Sequence, residues 1–166
     1  MIHYRIEIKW AIVFVLMTLT WIVIEKLTGM YTTNIDKHAI VTNIIAIPAV
    51  TVYVLALMDK RKNYYHGAMT YKQGLVTGLI ITAFVTAFSP ITQLLVNVIA
   101  PEYFPNMIAY TVAQGKMTPE AAEANFNLKS YIIQGLIGAP IMGLLTTAMV
   151  AMFTAREAKK DVAVSG

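Results

Sequence analysis

From residue 73 to residue 101 the chain runs for 29 positions without an Asp, Glu, Lys or Arg. A helix exposed to water would need charged side chains on its outer face every turn or two, so this stretch is unsuited to a soluble bundle. Three further charge-free runs occupy 10–24, 38–58 and 130–155. A hydrocarbon core about 30 Å thick takes about 20 apolar residues in a helix. Three of the four runs meet that length, whereas the first holds 15 residues and crosses only by recruiting Ile8 or Leu27.

Composition points the same way. Hydrophobic residues make up 57% of the 166 positions and charged residues 13%, the latter about half the usual globular share. Lipid is then the expected solvent. At membrane depth only helices and closed barrels satisfy their own backbone polar groups, and runs of this length belong to helices. The expected fold is all-α: one polytopic membrane domain over 1–166, with spans at about 8–27, 39–58, 74–99 and 130–153 and an outer helical loop at 100–129. The first run, behind Arg5 and Lys9, has the look of a secretory leader, but Glu25-Lys26-Leu27-Thr28-Gly29 offers no small-residue cleavage pattern. A retained first helix is expected.

Orientation follows from the Lys and Arg count in the connecting pieces. Arg5, Lys9, Lys60, Arg61, Lys62, Lys72, Arg156, Lys159 and Lys160 fall on one side, against Lys26, Lys37, Lys116 and Lys129 on the other. Both termini are expected in the cytoplasm. The basic stretch 59–72, interleaved with Tyr64, Tyr65 and Tyr71, reads as a positive-inside loop with an aromatic belt that meets anionic lipid, and not as a nucleic-acid patch.

The loop at 100–129 is too long for a turn. Tyr103, Phe104, Met107, Ile108, Thr111 and Val112 recur at helical spacing and predict a helix lying on the outer leaflet, stopped by Gly115. Thr118, Pro119 and Glu120 then supply a hydroxyl N-cap, a proline at the first helical position and an acid in the first turn of a second short helix. Such a cap seals the bundle, covers an opening or docks a partner.

Two small-residue stripes recur every four positions: Gly74, Gly78, Thr82 and Thr86 in the third span, and Gly135, Ala139, Gly143 and Thr147 in the fourth. Missing bulk lets helix backbones approach, so these spans are expected to pack along the stripes, a homodimer being the alternative use. Pro48, Pro90 and Pro140 interrupt three spans near their middles. They mark packing kinks, or they frame a midplane cavity with Asn43, Gln93, Asn97 and Gln134 as polar lining.

Mid-span charges are missing, so a buried ion-coupling site lacks its usual parts. Glu25 reads as a boundary residue beside Lys26, whose ammonium reaches towards water. His3, His38 and His66 fall in three separate places, which excludes a metal cluster built from them. No Gly-rich phosphate loop, H-E-x-x-H or G-x-S-x-G pattern occurs, and the chain has no cysteine. Neither catalysis nor a cofactor is expected.

The stretch 99–153, together with HGAMTYKQGLVTGL at 66–79, resembles the domain of unknown function 4199, a family of small bacterial four-helix membrane proteins. Gly67, Tyr71 and Gln73 match its residues ahead of the third span, and Pro101, Glu102, Tyr103 and Phe104 its acidic, aromatic segment before the fourth. The resemblance implies a bacterial inner membrane and supplies no activity. Two readings stand: a non-enzymatic scaffold or accessory subunit with a membrane-protein partner or a second copy, and a small-molecule carrier or channel acting as an oligomer.

Overall fold

The computed structural model describes residues 4–156. Among the described residues seven α-helices follow in order: α1 (Arg5–Leu27), α2 (His38–Asn43), α3 (Ala46–Asn63), α4 (Tyr71–Ile99), α5 (Tyr103–Ala113), α6 (Pro119–Asn125) and α7 (Leu128–Thr154), with one 3₁₀ turn, Ile35–Lys37, ahead of α2. Four helical stretches among the described residues are long and apolar enough to cross a membrane: Arg5–Leu27, Ile35–Asn63, Tyr71–Ile99 and Leu128–Thr154. The protein is an all-α polytopic membrane protein. Its large apolar side chains point outward in rows, with Ile40 72%, Val98 76% and Phe153 82% exposed, as a lipid-facing surface requires.

The second span is not one helix. Pro48 has no N–H to offer Ile44, and the chain tightens there: Ile45 N donates to Thr42 O at 3.3 Å and Ile47 N to Ile44 O at 3.0 Å. Two helical pieces result, joined through Ile44 and Ile45. Pro90 and Pro140, by contrast, sit inside unbroken helices.

α4 packs on α1, α3 and α7, while α3 also packs on α1 and α7. The core between them holds Ala11, Tyr53, Ala56, Leu57, Met69, Ile81, Val150 and Ala151. α4 starts from a capping box, in which Thr70 Oγ1 accepts from Gln73 N at 3.3 Å and Gln73 Oε1 accepts from Thr70 N at 2.8 Å. α7 starts from Asn127, whose Oδ1 accepts from Ser130 N at 2.9 Å. Between them lies the helical cap. α5 ends where Lys116 N reaches Thr111 O at 2.9 Å around Gly115, whose φ of +64° suits glycine. Thr118 then caps α6 by accepting from Ala121 N.

Candidate functional site

The capped end of the bundle holds a buried acid. Gly29, at φ +72°, ends α1 and turns the chain back, with Met30 N donating to Glu25 O at 2.9 Å. A β-carbon at Gly29 would lie 2.5 Å from Thr33 Oγ1, so the turn admits little else. The reversal carries Tyr31 under the helix, where its hydroxyl donates to Glu25 Oε2 at 2.6 Å. Trp21, one turn earlier, donates its indole N–H to Glu25 Oε1 at 2.9 Å. Glu25 is fully buried, and the 3₁₀ turn and α2 bring His38 Nε2 to 4.0 Å from Oε2.

This corrects the reading of Glu25 as a boundary partner of Lys26. Neighbours in a helix diverge and do not face each other. Lys26 Nζ instead donates to Ile99 O at 2.6 Å, at the end of α4, and lies 3.5 Å from Glu102 Oε1. A cation there is favoured by the carbonyls that a helix C-terminus leaves open.

The polar cluster continues into the cap. Tyr103 of α5 meets Tyr31 edge-to-face with ring centroids 4.9 Å apart and His38 in a tilted contact at 5.2 Å. Its hydroxyl shares a 2.9 Å hydrogen bond with that of Tyr131 in α7, and Asn106 Nδ2 donates to Tyr31 O at 2.7 Å. Burial, then the hydrogen bond to Glu25 and its charge, pushes the Tyr31 hydroxyl well above the usual phenol range. Burial, then Tyr131, does the same for Tyr103. Both hydroxyls therefore stay protonated, Tyr31 as the donor to Glu25. α1 and α2 thus meet at one carboxylate, and α5 and α7 join the cluster through Tyr103 and Tyr131. Among the described residues no group of His, Cys, Asp and Glu can hold a metal ion. The arrangement suits a structural tie or an acid–imidazole contact.

The opposite end carries two ion pairs that a count of loop charges cannot reveal. Lys60 Nζ lies 2.7 Å from Glu7 Oε1, both almost fully buried, with the ammonium 3.8 Å from the Tyr64 ring centroid. Lys9 pairs with Asp59, which also accepts from Trp10 Nε1 at 2.7 Å and from Asn63. Lys60 is thus turned into the bundle and is not free at the surface.

The small-residue stripes of α4 and α7 face each other. A β-carbon on Gly78 would lie 2.3 Å from Thr147 Cγ2, one on Gly143 2.3 Å from Thr82 Cγ2, and one on Gly135 2.3 Å from Ser89 Oγ. Gly74 would meet Ala151 at 3.3 Å. Thr82 also shares a 2.8 Å hydrogen bond with Tyr53 of α3, and Thr86 Oγ1 donates to Thr82 O.

The four polar candidates do not converge. Asn43 is exposed and donates to Ala39 O within its own helix. Gln134 is exposed, two turns into α7, and donates to Ser130 Oγ at 3.0 Å. Asn97 is half-buried near the end of α4. Gln93 lines a cavity, about 160 Å³ in volume, with Phe14, Val15, Thr18, Val85, Ser89, Thr92, Gly135 and Ala139. His3, Lys159 and Lys160 lie outside the described residues.

A family model described as "Protein of unknown function (DUF4199)" matches residues 9–156. The chain belongs to this family. The match takes in the buried acid, both stripes and the whole cap. No curated protein and no solved structure matches the chain. What this DUF4199 protein can do has therefore to be read from its own geometry. Sequence reasoning missed the Glu25 cluster and the Glu7–Lys60 pair, and the one available signal was an acid sitting at the edge of an apolar run with a tyrosine or lysine in reach.

Proposed function

We propose that this DUF4199 protein is a non-catalytic scaffold or accessory subunit of a bacterial inner membrane, with both termini cytoplasmic and the helical cap on the outer side. The observation that carries this reading is the closed contact between α4 and α7, where Gly78 against Thr147 and Gly143 against Thr82 leave no room even for an added β-carbon, as a packing seam requires. The nine-to-four division of Lys and Arg supports the orientation. The basic 59–72 loop would rest on anionic lipid, and the outward apolar face of α7 (Ile137, Ile141, Leu145) is available to a membrane-protein partner or a second copy.

The carrier reading has one observation in its favour, the cavity beside Gln93. A cysteine at Gln93 separates the two in this otherwise cysteine-free chain. In intact membranes a water-soluble thiol reagent should leave Gln93→Cys unlabelled while it labels Gly115→Cys in the cap. Labelling at both positions would favour a hydrated path and sink the scaffold reading.

A further inference from the structure

The three cations Arg61, Lys62 and Arg156 line one depression with Met58, Asp59, Asn63 and Gly67, about 460 Å³ in volume, at the end of the bundle opposite the cap. Its walls are fixed by backbone bonds. Arg156 and Met69 exchange both of their backbone hydrogen bonds at 2.8 Å, which ties the end of α7 to the segment before α4. Gly67 N donates to Arg61 O at 2.9 Å, and Gly67 adopts φ +97° with open space where a β-carbon would stand. Arg61 Nη1 donates to Thr154 O at 2.9 Å, holding one corner of the guanidinium, and among the described residues the rest of the fork has no acidic partner.

Among the described residues the single acid in the lining, Asp59, does not neutralise these charges. One oxygen of Asp59 is taken by Lys9 and Trp10 and the other by Asn63. Among the described residues no carboxylate pairs with Arg61, Lys62 or Arg156. Three like charges gathered around one hollow repel one another unless an anion joins them. Arginine forks suit the geometry of a phosphate, and basic pockets at the ends of membrane helices are where lipid headgroups are held.

We infer that this pocket binds a phosphate group, with Arg61, Lys62 and Arg156 as its ligands. The inference rests on the proposed contact between the 59–72 loop and anionic lipid, and it narrows that contact to one place. Lys72 provides the comparison. It is exposed in the first turn of α4 and does not line the pocket.

The test uses full-length protein in detergent, with two probes. In native mass spectrometry the wild type should retain phosphatidylglycerol over phosphatidylcholine, and this preference should fall about fivefold for each cation removed, in Lys62→Gln and again in Lys62→Gln/Arg156→Gln. Lys72→Gln should keep it. In the second arm inorganic phosphate should raise the melting temperature of the wild type and of Lys72→Gln but not of the double variant. An effect in the lipid arm alone assigns the site to a headgroup, and one in the phosphate arm alone assigns it to the free ion; either upholds the pocket. Equal losses in Lys62→Gln and Lys72→Gln would overturn the pocket while leaving general contact with anionic lipid intact. No response in either arm would overturn both. Lys62 and Arg156 are exposed, so unchanged melting temperatures without ligand check that the variants fold.

Discussion

Gly78 and Thr147 stand so close across the α4–α7 contact that a β-carbon on the glycine would lie 2.3 Å from the threonine methyl. The same relation recurs with exchanged helices at Thr82 and Gly143. Two glycines on opposite helices therefore set one separation along the seam, which neither helix would reach with larger side chains.

Gly78→Leu and Gly143→Leu should each force the helices apart, at a cost of about 1 to 3 kcal/mol or more, because overpacking displaces backbone and side chains together. Thermal unfolding in detergent reads this as a lowered transition. Adding Thr147→Ala to Gly78→Ala should recover most of the loss of the single alanine variant, as expected for residues in direct contact. Unchanged stability and oligomeric state in both leucine variants would show that the seam does not hold the bundle.

Lys60→Met should cost about 3 to 5 kcal/mol, because it strands the Glu7 carboxylate away from water. Glu7→Gln/Lys60→Met should be closer to wild type than Lys60→Met. The comparison is a double-mutant cycle by denaturation, and simple additivity would mean that the pair seen at 2.7 Å contributes no coupling.

At the capped end, Glu25→Gln replaces a group that only accepts with one that both accepts and donates. Its amide nitrogen would face the Trp21 N–H or the Tyr31 hydroxyl, leaving a buried donor unmet and costing about 1 to 3 kcal/mol. The release should reach the cap, since Tyr31 also bears on Tyr103 and Asn106. Faster amide exchange across α5 in Glu25→Gln is the expected readout, and exchange unchanged from wild type would detach the acid from the cap.

Topology can be checked by reporters. A fusion after Gly115 should be active only with an extracytoplasmic enzyme reporter, and one after Met58 only with a cytoplasmic one, as the charge asymmetry demands. The reverse pattern would turn the protein over and place the basic pocket outside.

The spans were legible because charge is so costly in lipid that its absence marks them, and the boundaries of α4 and α7 fall within a few residues of where the charges stop. The cap was legible because Gly115, Thr118 and Pro119 carry local rules that need no tertiary context. The break at Ile44 and Ile45 was not, since proline is tolerated without rupture in α4 and α7. Glu7, Glu25 and Lys60 were also hidden. A charge at the end of an apolar run reads as a boundary whether it turns outward or, as here, inward to a partner far along the chain. Gln134 shows the converse: a polar residue in a long run suggests a lining, but only the structure shows its side chain exposed and bonded to Ser130 one turn back in its own helix.

The mutual backbone bond between Met69 and Arg156 has a consequence for how the chain is assembled. With that clasp at one extremity and the Tyr103–Tyr131 hydroxyl contact at the other, α4, the cap and α7 form a loop fastened twice, independent of anything made earlier in synthesis. The later-made hairpin thus carries its own closure, whereas α1 and α3 are held to it by packing on α4 and, for α3, on α7 as well.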